Sequence, residues 1–436
     1  MNKNCAFTIV AKNYLGLAHV LEKSLKKHNR DTDFIIFIAD ELDIDIENLP
    51  SNVFIAKTAL QIKEEKWIEM SFKYNVTEFC TAIKPTCFKY LFHLDTYTNI
   101  VYVDPDILFF SSLSPVYNLL KTYSIVLTPH LTELQVNYEG DYEERTFFAS
   151  GIYNLGFCAL SKSEAAFNML TWWEERLKDK CFLDNTRNYF TDQKWMDFLP
   201  GYFSSKTLHI SHNLGLNAAP WNFSQREFVK KGSKYYVKPR NENKTNELDM
   251  LVFVHFSGYN YSELKQGNLK RKNSSISSDK YLDTKDIFNS YMDALTTSSD
   301  SFNKYINMSY SYSTYDNGMI IDKFHRRLYN GLIEDGHILQ SPFSNSSKSF
   351  FSALKKYKLL NKSEVADSTT RYNVPNISKK KKYINYLFKA LFYLIGYKRY
   401  VLFVRSLVIY NRMETHTFLL GKKFKNTYTD SKSIDN

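Results

Sequence analysis

Apolar residues enter this chain in short runs. Ala6–Ala11 is apolar with β-branched members, and Tyr14–His28 then places Leu17, Val20, Leu21 and Leu25 at helical spacing. Phe34–Ala39, reading FIIFIA, predicts a strand buried on both faces, and Val53–Ala56 predicts another. Thr77–Leu94 predicts a helix with Pro85 at a boundary or kink. Ile100–Val103 and Ile107–Phe110 predict strands on either side of Asp104-Pro105-Asp106. Strands alternating with helices in this way predict an α/β fold, with a mostly parallel sheet flanked by helices. Ligands of such sheets gather beyond the carboxyl ends of the strands.

Farther on, Gly151–Leu160 and Leu251–Phe256 predict strands, Glu164–Leu177 a helix, and Asp192–Phe198 a short helix. The text changes after Ser257: Asn268–Asp279 is a polar loop, and Phe302–Leu360 holds mixed helical segments without a strand series. Asn361–Ser378, with Pro375, reads as a linker. Lys379–Arg412 is basic and aromatic, without one Asp or Glu. The expected division is an α/β domain over 1–265, a mainly helical extension over 266–360, and a linker with a basic aromatic tail over 361–436.

Composition narrows the function classes. Five cysteines without a CxxC pair exclude a disulfide framework and a structural zinc site, and point to a reducing compartment. Met1–Val10 lacks a signal-peptide cleavage site, and no run of ~20 apolar residues predicts a membrane span. The expected location is cytoplasmic. A net charge of +11 favours a phosphate-bearing partner, and 32 Tyr with 33 Phe can fill a core or line a groove for sugars or bases.

Phosphate-loop, dinucleotide, zincin and serine-hydrolase motifs are absent. Asp-x-Asp occurs at Asp31/Asp33, Asp43/Asp45 and Asp104/Asp106. The first two lie in polar surroundings and read as solvated loops. The third follows Ile-Val-Tyr-Val, so two carboxylates project together from a buried strand end. That arrangement suits a divalent cation completed by substrate phosphates, or an ordinary strand-end turn. His255 ends another buried strand, as a metal ligand or a satisfied core histidine. Thr191 is placed as a helix N-cap with Asp192 in the first turn; alternatively Asp192 and Gln193 line a polar site. Asn154 and Gly156 suit a bulge or a hydroxyl-binding corner. Asn217, Trp221 and Asn222 suit a loop anchor or a sugar-binding face.

In order and spacing, Asp104-Pro-Asp106, Asn154-Leu-Gly156, Asp192-Gln193, Trp221-Asn222 and His255-Phe-Ser-Gly258 resemble glycosyltransferase family 8-like enzymes of the GT-A fold, in particular bacterial polysaccharide and lipopolysaccharide glycosyltransferases. The resemblance covers Cys5 to Tyr259, with a weaker echo to Leu354. It implies that Asp104, Asp106 and His255 hold Mn²⁺ or Mg²⁺ against a donor diphosphate. It places Tyr14, Lys84, Asn154, Gly156 and Gly258 at the nucleotide-sugar donor. Asp192 and Gln193 fall near the anomeric carbon, and Asn217, Trp221 and Asn222 at the acceptor. The chain departs from the family in carrying Ala11-Lys12 where an Asp often precedes Asn-Tyr; a UDP-sugar is the expected donor. Transfer with retention to a glycan or lipid-linked acceptor, in surface-polysaccharide assembly, is the implied reaction.

Two alternatives stand beside it. A sugar-nucleotide nucleotidyltransferase also uses Asp-bound metal, but Ala6–Gly16 lacks its Gly-rich basic loop. A non-catalytic nucleotide- or carbohydrate-binding protein could share the scaffold. A nucleic-acid partner is not expected, since the basic residues concentrate in the tail without a recognised module. That tail carries nine Lys and Arg between apolar runs and is expected to lie on an anionic membrane surface or to pack on the protein.

Overall fold

In the computed structural model the described residues are 3–42, 49–240, 248–259, 263, 280–339, 341–360, 377–420 and 430–431. They form two compact units, residues 1–62 with 76–311, and residues 63–75 with 312–436. The expected boundary at 265 and most of the linker lie outside the described residues. The helices Lys285–Thr297 and Ser299–Ile306, expected in the extension, belong to the first unit.

The first unit is built on a seven-stranded sheet. Its order is Leu208–Ile210, Ile125–Leu127, Phe157–Ser161, Tyr97–Val103, Lys3–Val10, Thr32–Ile38 and Val53–Ile55. Phe157–Ser161 is antiparallel to both neighbours; the other pairings are parallel. This is the α/β class with a mostly parallel, helix-flanked sheet that the sequence predicts.

Alternation along the strands explains why both faces are covered. Ala6, Val10, Ile36 and Val101 point to one face and pack with Leu15, Ala18, Leu21 and Leu25 of the helix Leu15–His28. Phe7 points to the other face, with ring centroids 5.9 Å from Phe37, 4.7 Å from Phe88 and 5.2 Å from Tyr102.

Several local expectations are corrected. Thr77–Leu94 is two helices, Val76–Ala82 and Lys84–His93, because Pro85 is accommodated only in the first turn of a new helix. Gly151–Gly156 is not a strand: Gly151, at φ 102°, ends the helix Arg145–Ser150, and only Phe157–Ser161 joins the sheet. Asp33 lies within a strand and accepts from Lys3 at 2.7 Å and Tyr97 at 3.2 Å, so it is not in a solvated loop. The Asp43/Asp45 pair lies outside the described residues. The strands Arg226–Lys231 and Lys234–Pro239 form an antiparallel hairpin, unforeseen because Lys and Arg dilute their alternation.

The second unit gathers Phe72, Tyr315, Tyr329, Phe350 and Leu420 into its own core. Arg326 donates to the carbonyls of Ser71, Phe72 and Tyr74 at 3.2, 2.6 and 2.9 Å, satisfying the carboxyl end of the helix Glu64–Lys73. Ile377–Tyr410 is helical on both sides of Gly396, whose φ of 75° breaks it. The two halves fold back: Phe392 lies 5.3 Å from Tyr400, and Phe388 lies 6.4 Å from Phe403. Tyr383, Leu387, Tyr393, Leu394, Tyr397 and Val408 remain exposed on this hairpin. Among the described residues, no helix is long and apolar enough to cross a membrane.

Candidate active site

Two carboxylates and an imidazole meet where the strand Tyr97–Val103 ends. Asp104 is tied there by its N–H to the Gly156 carbonyl at 2.8 Å. After Pro105 the chain turns back as Ile107–Phe109, which pairs antiparallel with Phe253–His255 and sets Ile107 opposite His255. Phe256 N–H donates to the Asp106 carbonyl at 2.8 Å. Two distant segments are thus locked into one register. His255 Nε2 stands 3.0 Å from Asp106 Oδ1 and 3.6 Å from Asp104 Oδ2. Among the described residues these three side chains form a group that could hold a metal ion.

Behind His255 stands Asn154. Its Oδ1 receives His255 Nδ1–H at 3.2 Å, Gly156 N–H at 3.1 Å and Asn217 Nδ2–H at 3.2 Å. That bond turns Nε2 toward the carboxylates, the orientation of a metal-ligating histidine. Gly156 is needed because a Cβ there would lie 2.4 Å from His255 Cε1. Burial lowers the proton affinity of His255, but Asp106 and Asp104 outweigh it, so its pKa lies above the ordinary histidine value. Burial raises the Asp104 pKa, partly opposed by Lys84 and His255.

A second buried pair adjoins the first. Lys84 Nζ donates to Asp192 Oδ2 and, at 2.9 Å, to the Leu155 carbonyl. It also sits 3.9 Å from the centroid of Tyr102, whose hydroxyl donates to Asp104 Oδ1 at 2.5 Å. Both charged side chains are almost completely covered, at 1% and 4% exposure. Asp192 occupies the cap position of the 3-10 helix Gln193–Phe198, not its first turn, and makes no side-chain cap bond. Thr191, at φ 45°, instead donates its hydroxyl to Asp192 Oδ1 at 3.1 Å. The Thr191 cap expected from sequence is therefore replaced by the ion pair with Lys84. Gln193 donates to the Ser150 carbonyl at 2.7 Å.

Two cavities flank the carboxylates. One, of about 240 Å³, is lined by Tyr14, Cys80, Tyr102, Asp104 and Asp106 among others. Burial pushes the Tyr14 hydroxyl up to about 12, with Asp106 adding to it. The other, of about 360 Å³, is lined by Lys84, Asn154, Gly156, Asp192, Gln193, Trp221 and His255 among others. Thr77, Thr81 and Asp104 line both.

Trp221 alone of the three expected acceptor residues reaches a cavity wall. Its ring stands edge-on to His255, at 5.2 Å between centroids. Asn217 and Asn222 lie behind it, buried; Asn222 donates to the carbonyls of His130 and Asn217 and receives Ala219 N–H. Gly258 turns the chain after His255 at φ 81°, a conformation that favours glycine.

His130 was not singled out by sequence reasoning. It lines the larger cavity, and burial pulls its pKa down to about 4, so it is neutral at physiological pH. Its Nδ1–H faces the Ile152 carbonyl at 3.1 Å, and its Nε2 receives Asn154 Nδ2–H at 3.4 Å. The available signal was the apolar run Ile125–Leu127 ending in Thr-Pro-His, the same run-then-polar pattern that marks Asp104.

The sheet with its single reversed strand is the mostly parallel α/β architecture expected from the sequence, and the Asp-Pro-Asp corner lies at the end of one of its central strands. No protein-family profile matches the chain. It is 24% identical over 264 residues to the uncharacterized protein YfnF of Bacillus subtilis (strain 168), covering 59% of this chain and 84% of that one. Among solved structures, it is similar to the galactosyltransferase LgtC in complex with donor and acceptor sugar analogs. There the identity is 16% and the TM-score 0.37, over 67% of this chain and 96% of that one. It is also similar to the bifunctional glycosyltransferase WbbM, with 12% identity and a TM-score of 0.39, over 70% of this chain and 52% of that one.

Proposed function

We propose that this chain is a metal-dependent glycosyltransferase that moves a sugar from a nucleotide-sugar donor to a glycan or lipid-linked acceptor in surface-polysaccharide assembly. The observation that carries the reading is the Asp104–Asp106–His255 cluster between two cavities of unlike lining. The smaller cavity, with Tyr14 and Tyr102, suits a nucleoside. The larger, with Lys84, Asp192, Gln193 and Trp221, suits a sugar.

Oxygen and imidazole ligands fit Mn²⁺ or Mg²⁺, and Asn154 supplies the outer bond that such a histidine needs. When bound, the cation supplies Lewis-acid stabilisation of a departing diphosphate. The chain's own residues do the rest. Tyr102 holds Asp104 in place through its hydroxyl. Lys84 brings a buried positive charge to the same wall, where it is worth more than in water. Because that charge engages Asp192, the carboxylate is a weak nucleophile and is better suited to orienting the sugar. With Asp192 engaged in this way, the retaining transfer proposed here would run by front-face attack and not by double displacement.

The C-terminal hairpin is assigned to an anionic membrane surface on the cytoplasmic side. Its exposed Tyr, Leu and Val side chains stand beside nine basic residues and no acid.

The deciding experiment is nucleotide release from UDP-, GDP-, dTDP- and CMP-sugars, with Mn²⁺ and with EDTA. Metal-dependent release from one donor is expected. No release from any donor would refute the reading, and nucleotide-induced thermal stabilisation in that case would leave a binding protein.

A further inference from the structure

Four aromatic rings form a row on the surface of the first unit. Tyr189, Trp195, Phe198 and Tyr202 follow one another with centroid steps of 5.8, 6.4 and 5.9 Å and interplanar angles of 25°, 27° and 14°. Trp172, from the helix Glu164–Lys180, backs the row edge-on, 6.1 Å from Trp195 and 5.5 Å from Tyr202. Packing among the rings does not cover them: Phe198 is 52% and Tyr202 56% exposed. Rings of this size are ordinarily hidden, and an exposed group of them marks an interaction site.

The row is continuous with the candidate active site. Phe190, Thr191, Asp192 and Gln193 line the larger cavity, while their chain neighbours Tyr189 and Trp195 belong to the row. One stretch of chain therefore builds both the cavity wall and the start of the row. Trp195, Phe198 and Tyr202 continue outward on one helical face.

The chemistry of the row selects its occupant. The row itself is wholly aromatic. Tyrosine hydroxyls lie along it, and the guanidinium groups of Arg176 and Arg187 stand 5.4 Å from the Trp172 and Tyr189 rings. Flat apolar faces with polar margins match a pyranose ring, which has an apolar face and a hydroxyl rim. A lipid surface or a protein core would be met better by branched aliphatics.

We propose that this row is a platform for an extended acceptor, stacking the successive sugar rings of a glycan whose reacting end enters the larger cavity. The proposal rests on the glycosyltransferase reading for the role of that cavity.

The test uses the full chain on an immobilised array of hexose and N-acetylhexosamine oligosaccharides, graded from single sugars to octasaccharides. Binding by the wild type should strengthen with length. The double variant Phe198→Ser/Tyr202→Ser should bind the longest members about tenfold more weakly, as expected for two lost stacking contacts. Its donor hydrolysis and melting temperature should be unchanged. Should the serine variant melt early, Phe198→Leu/Tyr202→Leu keeps apolar volume but removes the ring faces, and is expected to lose the same binding. Binding that is absent, independent of length, or equal in the variants would overturn the proposal. So would a wild-type dimer that the substitutions dissolve, because a second copy would then cover the row. Array binding without nucleotide release from any donor would refute the transferase reading and leave the platform standing.

Discussion

Gly156→Ala tests the metal reading without touching a ligand. A Cβ at this position would lie 2.4 Å from His255 Cε1, 2.7 Å from Nδ1 and 2.9 Å from Asn154 Oδ1, whereas ordinary contact begins at 3.4 Å. The imidazole must therefore retreat by about 1 Å, and Asn154, bonded on three sides, cannot follow freely. Nε2 then leaves its position 3.0 Å from Asp106 Oδ1. Overpacking of this kind costs about 1–3 kcal/mol of stability. Disturbing the outer support of a ligand costs about 10–100-fold in metal affinity. Gly201→Ala is the control, because nothing lies within 4 Å of a Cβ there. Mn²⁺ titrated calorimetrically into both variants and the wild type, with and without nucleotide, reads the effect. Equal Mn²⁺ affinity in Gly156→Ala and wild type would refute the argument that His255 is a ligand held by this contact.

Three other outcomes are expected. Lys84→Met should cost about 3–5 kcal/mol in chemical denaturation, because it leaves Asp192 buried without its partner, and Lys84→Met/Asp192→Leu should recover part of that loss; equal stability of the two variants would count against a coupled pair. Burial pushes the Cys80 thiol up to about 12, and nearby Asp40 and Asp104 add to it. Its thiolate, and hence alkylation by iodoacetamide, should be negligible at pH 8 and rise only as pH approaches that value; rapid native-state labelling of Cys80 at pH 8 would refute the raised pKa. Lys379, Lys380, Lys381 and Lys382 changed together to Glu should abolish co-sedimentation of the full chain with anionic vesicles, while neutral vesicles bind neither form. Substitution is preferred to truncation here, because removing the tail would also remove Leu420 from the core of the second unit.

Much of the first unit was legible because strands buried on both faces leave continuous apolar text. FIIFIA and Ile-Val-Tyr-Val needed no context, and the polar residues that follow such runs marked Asp104 and His255. What escaped depends on contacts distant in sequence. The pairing of Lys84 with Asp192 spans 108 positions, so local rules favoured a helix cap at Thr191 instead. Asn154 was legible as a site residue, yet its place behind His255 follows from the ladder between Ile107–Phe109 and Phe253–His255. The exposed hairpin around Gly396 was legible as composition, but its reversal depends on one positive φ.

The second unit takes its first helix, Glu64–Lys73, from an early part of the chain and the rest from beyond residue 311. On a ribosome adding ~5–20 residues per second, Phe72 emerges roughly 10–50 s before Tyr315, Tyr329 and Phe350 exist to cover it. During that interval a helix carrying Trp67 and Phe72, both buried in the folded protein, has none of these partners, and is open to chaperones and to association with other nascent chains. A fragment ending at Ser311 would carry the same segment permanently uncovered by that core. Producing the sheet-bearing unit alone would therefore call for replacing residues 63–75 with a short polar bridge, not merely for shortening the chain.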